Sequence, residues 1–231
     1  MMRKMTFSSS QPPSLPPPLP ADLPPALADP SQPFPRLIVF DLDYTLWDFW
    51  CDTHPSPPLK PAPSHALVTD RHAEPFTYYP SVPRVLLALP HMSAAHRVRL
   101  AVASRTNAPP TARDLLKMLH LQTTASSDDG DASASASASA SASARKKAGV
   151  PMLDVFDAGL EIYPGSKIKH MESLHKRTGV AYEDILFFDD EERNRDTERL
   201  GVVMKLVRDG VDWEQVAQGV EEWRRRKKGR A

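Results

Sequence analysis

Residues 36–50 read RLIVFDLDYTLWDFW. After the arginine the run is apolar without alternation, the pattern of a strand covered on both faces of a parallel sheet. Arg36–Phe40 is therefore a predicted strand, and it ends in Asp41-Leu42-Asp43. Four further apolar runs read as strands: Val98–Ala103, Leu153–Phe156, Ile185–Phe188 and Val202–Val207. Between them, helical periodicity predicts helices at Val82–Leu89, Thr111–Leu119, Ser166–Thr178 (stopped by Gly179), Glu191–Leu200 and Trp213–Arg225. Strand–helix–strand succession implies an α/β fold with a mainly parallel sheet covered by helices, and in such folds the ligand sits beyond the carboxyl ends of the strands.

The chain has 231 residues, 29 basic and 29 acidic, so its formal charge is zero, and 41% of it is hydrophobic. Balanced charge argues against a dedicated nucleic-acid binder. No apolar run reaches the roughly 20 residues that span a bilayer. One cysteine, Cys51, excludes a disulfide framework and any multi-thiolate zinc site. Proline is abundant (24 against 9 glycines), and eleven prolines precede Arg36. Residues 1–35 thus read as a disordered Pro-rich arm, a solvated tail or a ligand for a proline-recognising domain. Its basic, Ser-containing start resembles a transit peptide only weakly, because the prolines oppose an amphipathic helix. Residues 125–149 contain a Ser-Ala alternation with little surface to bury, and read as a disordered insertion in a surface loop. The expected organisation is an arm at 1–35, one domain at 36–220 carrying that insertion, and a basic tail at 221–231.

The predicted strand ends carry the chemistry. Asp41 and Asp43 follow the first, Ser104-Arg105-Thr106-Asn107 the second, and Asp189-Asp190 the fourth; EIYPGSK delivers Lys167 to a helix start. Carboxylates from separate strands that meet at one rim repel one another, and a divalent cation relieves the repulsion. An oxygen-only donor set points to Mg²⁺. A lone D-x-D is also an ordinary turn, but here an Asp-Asp pair recurs after another apolar strand. A lysine beside a helix N-terminus is unfavourable on its own and suits a bound anion. Metal, ammonium, hydroxyl and backbone N–H groups make a phosphoryl clamp, and an Asp beside the metal can attack phosphorus.

FDLDYTLW, ASRT, EIYPGSK and FFDDEERN, in this order, resemble the signatures of the haloacid dehalogenase (HAD) superfamily, and more narrowly its magnesium-dependent phosphatases. The resemblance covers about 36–122 and 153–219. It implies a HAD-like Rossmannoid three-layer sandwich with little or no cap, and hydrolysis of phosphate monoesters through an aspartyl phosphate. Position by position it implies Asp41 as nucleophile and metal ligand, and Asp43 as general acid and base whose backbone carbonyl also ligates the metal. Ser104 and Arg105 would hold phosphoryl oxygens and Lys167 would neutralise charge. Asp190 or Asp189 would complete the metal shell.

The stretch 44–80 is too short and proline-rich for a helical cap; its aromatics either pack against the rim or form a small flap. An open site follows, with a phosphorylated protein of the phosphotyrosine type or a small phosphate ester, such as a sugar or fructosamine phosphate, as substrate. Two other readings are an adaptor with a vestigial catalytic domain and phosphotransfer to an acceptor other than water. RRRKKGR (224–230) reads as a solvated helix end or a nuclear address in an otherwise cytoplasmic protein. Cys51 is expected to be a bystander, and His170 and His175 to lie on helix surfaces.

Overall fold

A computed structural model describes residues 23–122 and 149–229. Most of the expected arm (1–22), nearly all of the Ser/Ala insertion (123–148) and residues 230–231 lie outside the described residues. Five strands, β1 (Leu37–Phe40), β2 (Arg99–Ser104), β3 (Gly159–Ile162), β4 (Ile185–Asp189) and β5 (Val203–Leu206), pair in the order β5-β4-β1-β2-β3. Every pair is parallel. The α-helices are α1 (Val82–Ala88), α2 (Pro109–Met118), α3 (Lys167–Thr178) and α4 (Trp213–Lys228).

Side chains alternate across each strand, so each strand supplies two cores. Ile38, Phe40, Val102 and Phe188 pack against α1, α2 and α4, whereas Leu37, Val39, Ala101 and Phe187 pack against Met171 and Leu174 of α3. The result is three layers, with the central strands β1 and β4 buried along their whole length. Local signals set the helix ends. Ser166 caps α3 by accepting from the Lys169 N–H, Gly179 ends it at φ 70°, and Asp212 caps α4 by accepting from the Gln215 N–H at 2.7 Å. Gly219 lets α4 approach β4, since a Cβ there would stand 3.0 Å from the Phe188 ring.

Three elements differ from the sequence expectation. Leu153–Phe156 is not a strand: Met152–Val155 forms a 3-10 turn, and the third strand is Gly159–Ile162. That strand is an edge with Glu161 inside it, so it lacks the apolar run of a doubly covered strand; Asp157 seats it by accepting from the Leu100 N–H at 3.0 Å. Glu192–Leu200 is a 3-10 helix rather than an α-helix. In that geometry side chains at i and i+3 eclipse, and Glu192, Arg195 and Glu198 form such a ladder of ion pairs.

Two boundaries move as well. Residues 23–35, expected in the arm, belong to the domain: Leu27 and Phe34 are buried in the core, and Arg224 of α4 donates to Ala26 O at 2.7 Å and Pro33 O at 2.8 Å. The tail expected from 221 is the last part of α4, with Trp223 buried. Three of its cations are engaged within the domain: Arg225 and Arg226 pair with Glu222, Arg226 also with Glu198, and Lys227 with Asp184. The insertion springs from an antiparallel pair, His120–Leu121 with Val150–Pro151, which holds its two ends together. No helix among the described residues is long and apolar enough to cross a membrane.

Phe34→Ala should lower unfolding free energy by about 3 kcal/mol, the cost of emptying a buried aromatic site. Urea denaturation measures it; a loss under about 0.5 kcal/mol, the scale of a surface substitution, would return this segment to the arm.

Candidate active site

The chain lays β1, β2 and β3 to one side and then returns to lay β4 and β5 on the other. The reversal falls between β1 and β4, the switch point at which such sheets bind ligands. Asp41 leaves the end of β1 there, with its N–H donated to Phe188 O at 2.9 Å, and Asp189 ends β4 beside it. Beyond Asp41 the chain turns sharply, as Thr45 and Leu46 both donate to Leu42 O, and Tyr44 takes a left-handed φ of 53°. For a non-glycine residue that conformation costs about 1 kcal/mol.

Lys167 lies at the centre. Its side chain is fully buried, and its ammonium is 2.9 Å from Asp41 Oδ1, 2.9 Å from Asp189 Oδ2 and 2.5 Å from Ala103 O. It is not on the cavity wall but behind Asp41, joining the ends of β1, β2 and β4. Burial would lower its pKa, yet Asp41 and Asp189 hold it above the ordinary lysine value. Asp41 is pushed up to about 8, by burial first, then eased by Lys167 and raised again by Asp189. Asp190 is raised to about 6 by burial and by the charge of Asp189. One ammonium therefore leaves this carboxylate cluster short of positive charge.

Asp41, Asp189 and Asp190 each offer an oxygen, and these atoms lie within 4.8 Å of one another. Three hard oxygen donors with a charge deficit fit a divalent cation such as Mg²⁺. The Asp43 carboxylate is outside this group. Its Oδ1 accepts from Trp47 Nε1 at 2.8 Å, and Cys51 Sγ lies 3.6 Å from its Oδ2. Burial raises its pKa against those two hydrogen bonds. Asp41, Asp43, Ser104, Arg105 and Asp190 all line one cavity of about 460 Å³ that opens to solvent past Trp50.

Asp41, Asp43, Ser104, Arg105 and Asp190 thus share one cavity, with Lys167 and Asp189 joined to Asp41 behind it, and the structure adds others. Asn194, buried in the 3-10 helix, donates to Asp189 Oδ1 at 2.8 Å and accepts from Arg105 at 3.2 Å, so it links the acidic pair to a cavity-wall guanidinium. Its position at the end of FFDDEERN was visible, but nothing in that string assigned it a contact. His170 is not on the helix surface: it is fully buried, 3.1 Å from Tyr163 O and edge-on to the Tyr163 ring at 4.3 Å. Burial and the Lys167 charge lower its pKa to about 4, so it is neutral and braces the Tyr163–Gly165 loop that forms part of the cavity wall. Lys167, His170, Met171 and Leu174 fall at i, i+3, i+4 and i+7, a buried stripe that the periodicity contained. Cys51 is buried against Thr106 Oγ1 at 3.1 Å, and burial pushes its thiol far up, which disfavours the thiolate.

Lys167→Met leaves two buried carboxylates facing each other. It should lower stability by about 3–5 kcal/mol at neutral pH without added metal, read by chemical denaturation. Unchanged stability would mean that the ammonium does not hold these strand ends together.

A family profile described as Acid Phosphatase matches residues 33–226. The human protein named Magnesium-dependent phosphatase 1 is 36% identical over 188 residues, covering 81% of this chain and 86% of that one. A HAD-like hydrolase superfamily protein of Schizosaccharomyces pombe is 34% identical over 170 residues, covering 73% and 83%. The solved N-terminal part of a Bacteroides fragilis protein, containing a phosphatase domain complexed with Mg, aligns with a TM-score of 0.45 at 14% identity, over 84% of this chain and 40% of that one. With a profile match over most of its length and relatives above 30% identity along both chains, this chain belongs to the acid phosphatase family, among the magnesium-dependent phosphatases of the HAD superfamily.

Proposed function

We propose that the chain hydrolyses phosphate monoesters with Asp41 as the nucleophile and Asp43 as general acid and base. The observation that carries the reading is the position of Asp41, on the cavity wall in front with Lys167 paired to it from behind. An Asp41 carboxylate oxygen attacks phosphorus as the bond to the ester oxygen breaks, and the departing oxygen takes the Asp43 proton. Asp43, now a carboxylate, takes a proton from water; the resulting hydroxide attacks the aspartyl phosphate, which releases phosphate and restores Asp41. Burial raises the pKa of Asp43, the direction a general acid needs, and the Trp47 and Cys51 contacts fix where it points.

Asp41 and Asp190 on the cavity wall, with the backbone carbonyl of Asp43, would hold Mg²⁺, and Asp189 would set their geometry from behind. When bound, Mg²⁺ neutralises phosphoryl oxygens during transfer. Ser104 and Arg105 would orient those oxygens, with Asn194 fixing the guanidinium. Lys167 would favour the ionised form of Asp41 and direct it, since its ammonium already lies 2.9 Å from that carboxylate.

A phosphotyrosine-type substrate is supported by Trp50, which is 53% exposed at the cavity mouth and edge-on to Tyr44 at 5.4 Å. It offers a flat apolar face to an aromatic leaving group. A hydroxyl-rich leaving group, as on a sugar or fructosamine phosphate, finds support instead in Asp52 and Asn107 on the same mouth.

Asp41→Asn should reduce turnover of a generic aryl phosphate by at least about 1000-fold, as loss of a covalent nucleophile does. Steady-state kinetics at saturating Mg²⁺ reads it, and retained turnover would overturn the assignment. Trp50→Ala should cut kcat/KM for aryl phosphates about tenfold relative to alkyl phosphates. Equal losses on both would favour the polar leaving group.

A further inference from the structure

Beyond the catalytic cavity, a second groove of about 590 Å³ opens at the opposite end of the sheet. Arg99 begins β2 and Gly159 begins β3, whereas Asp41, Ser104 and Asp189 mark the finishing ends of the parallel strands. Three arginines from three elements line the groove: Arg99 of β2, Arg113 of α2 and Arg177 of α3. All three settle on one short piece of backbone. Arg99 donates to Asp157 O at 3.4 Å, Arg113 donates to Leu160 O at 3.2 Å, and Arg177 lies over Gly159, where a Cβ would run into its Nη1. Residues 157–160 span only about 10 Å of extended chain.

The nearby acids do not balance these charges. Glu161 takes Arg177 at 2.6 Å. Asp157 is shared between Arg97 at 3.5 Å and the Leu100 N–H. Among the described residues Arg99 and Arg113 have carbonyl partners, which accept hydrogen bonds without neutralising a guanidinium. On a chain of zero net charge this is a local excess of cations held by well-defined anchors. Each guanidinium has five N–H donors in a planar fork, the geometry that recognises phosphate in bidentate fashion.

We propose that this groove is a binding site for a small multivalent oxyanion of the phosphate class, separate from the active site. The ligand bridges the guanidinium groups of Arg99, Arg113 and Arg177, with Phe156 as the apolar wall. Gly159 is required there because its φ of 134° and its bare Cα let Arg177 close over the backbone.

The test is a titration of the full chain with inorganic phosphate, followed by backbone amide chemical shifts. The expected result is two independent saturable sets, one at Asp41 and Gly165 and one at Ala158–Leu160. In the Arg113→Gln/Arg177→Gln double variant the second set should need at least about tenfold more phosphate, while the first set and the turnover stay as they were. Arg113→Lys keeps the charge without the fork and should weaken the second set less than the double variant, which guards against a folding artefact. Absence of a saturable second set, no effect of the double substitution, or the same response to chloride at equal ionic strength would each overturn the proposal. Loss of the first set alone would count against the catalytic reading and not against this site.

Discussion

The structure is organised around an ammonium with nowhere to go. Lys167 reaches inward from the first turn of α3 and pairs with Asp41 and Asp189 while donating to Ala103 O, so one cation ties together the ends of β1, β2 and β4. The triad is not explained as a stability device. Removing an ion from water costs several kcal/mol even after relaxation, and three ions are removed here. Each attraction at 2.9 Å returns about 6 kcal/mol at an effective dielectric of 20, and the two carboxylates repel each other. The raised pKa of Asp41 is the mark of that shortfall. Such a cluster persists because a further positive charge completes it, and the oxygen-only donors facing the cavity fit the Mg²⁺ on which this class of phosphatase depends.

What the sequence disclosed follows from which residues face two layers at once. β1, β2 and β4 read as apolar runs because they are covered above and below, and each runs out at residues that line the cavity. Hence Asp41, Asp43, Ser104, Arg105, Asp189 and Asp190 could be named from order and context. The edge strand β3 escaped because only part of it is buried and Glu161, neutralised by Arg177, sits inside it. An apolar run next to it, Leu153–Phe156, took its place in the reading.

The remaining surprises are contacts that only the folded chain creates. Leu27 and Phe34 lie among prolines, a composition that signals an exposed arm, yet α4 supplies both an apolar surface and the Arg224 clasp. The basic run at the end of α4 likewise looked free in sequence and is largely paired in the fold. The Trp47 indole N–H and Asn194 orient carboxylates only four and five residues before them, Asp43 and Asp189, yet nothing in either string assigns the contact. His170 is the instructive exception. Its place on the stripe with Met171 and Leu174 announced burial, and the expectation that a histidine on a charged helix faces water obscured it.

The central claim is that the ends of β1 and β4 converge on one divalent ion. The most direct measurement is anomalous diffraction from crystals of the full chain soaked in Mn²⁺, which substitutes for Mg²⁺ in oxygen sites. The account predicts a single strong peak roughly 2.0–2.3 Å from carboxylate oxygens of Asp41 and Asp190, with Lys167 still behind Asp41. A peak elsewhere, or none in crystals that still hydrolyse phosphate esters, would contradict it.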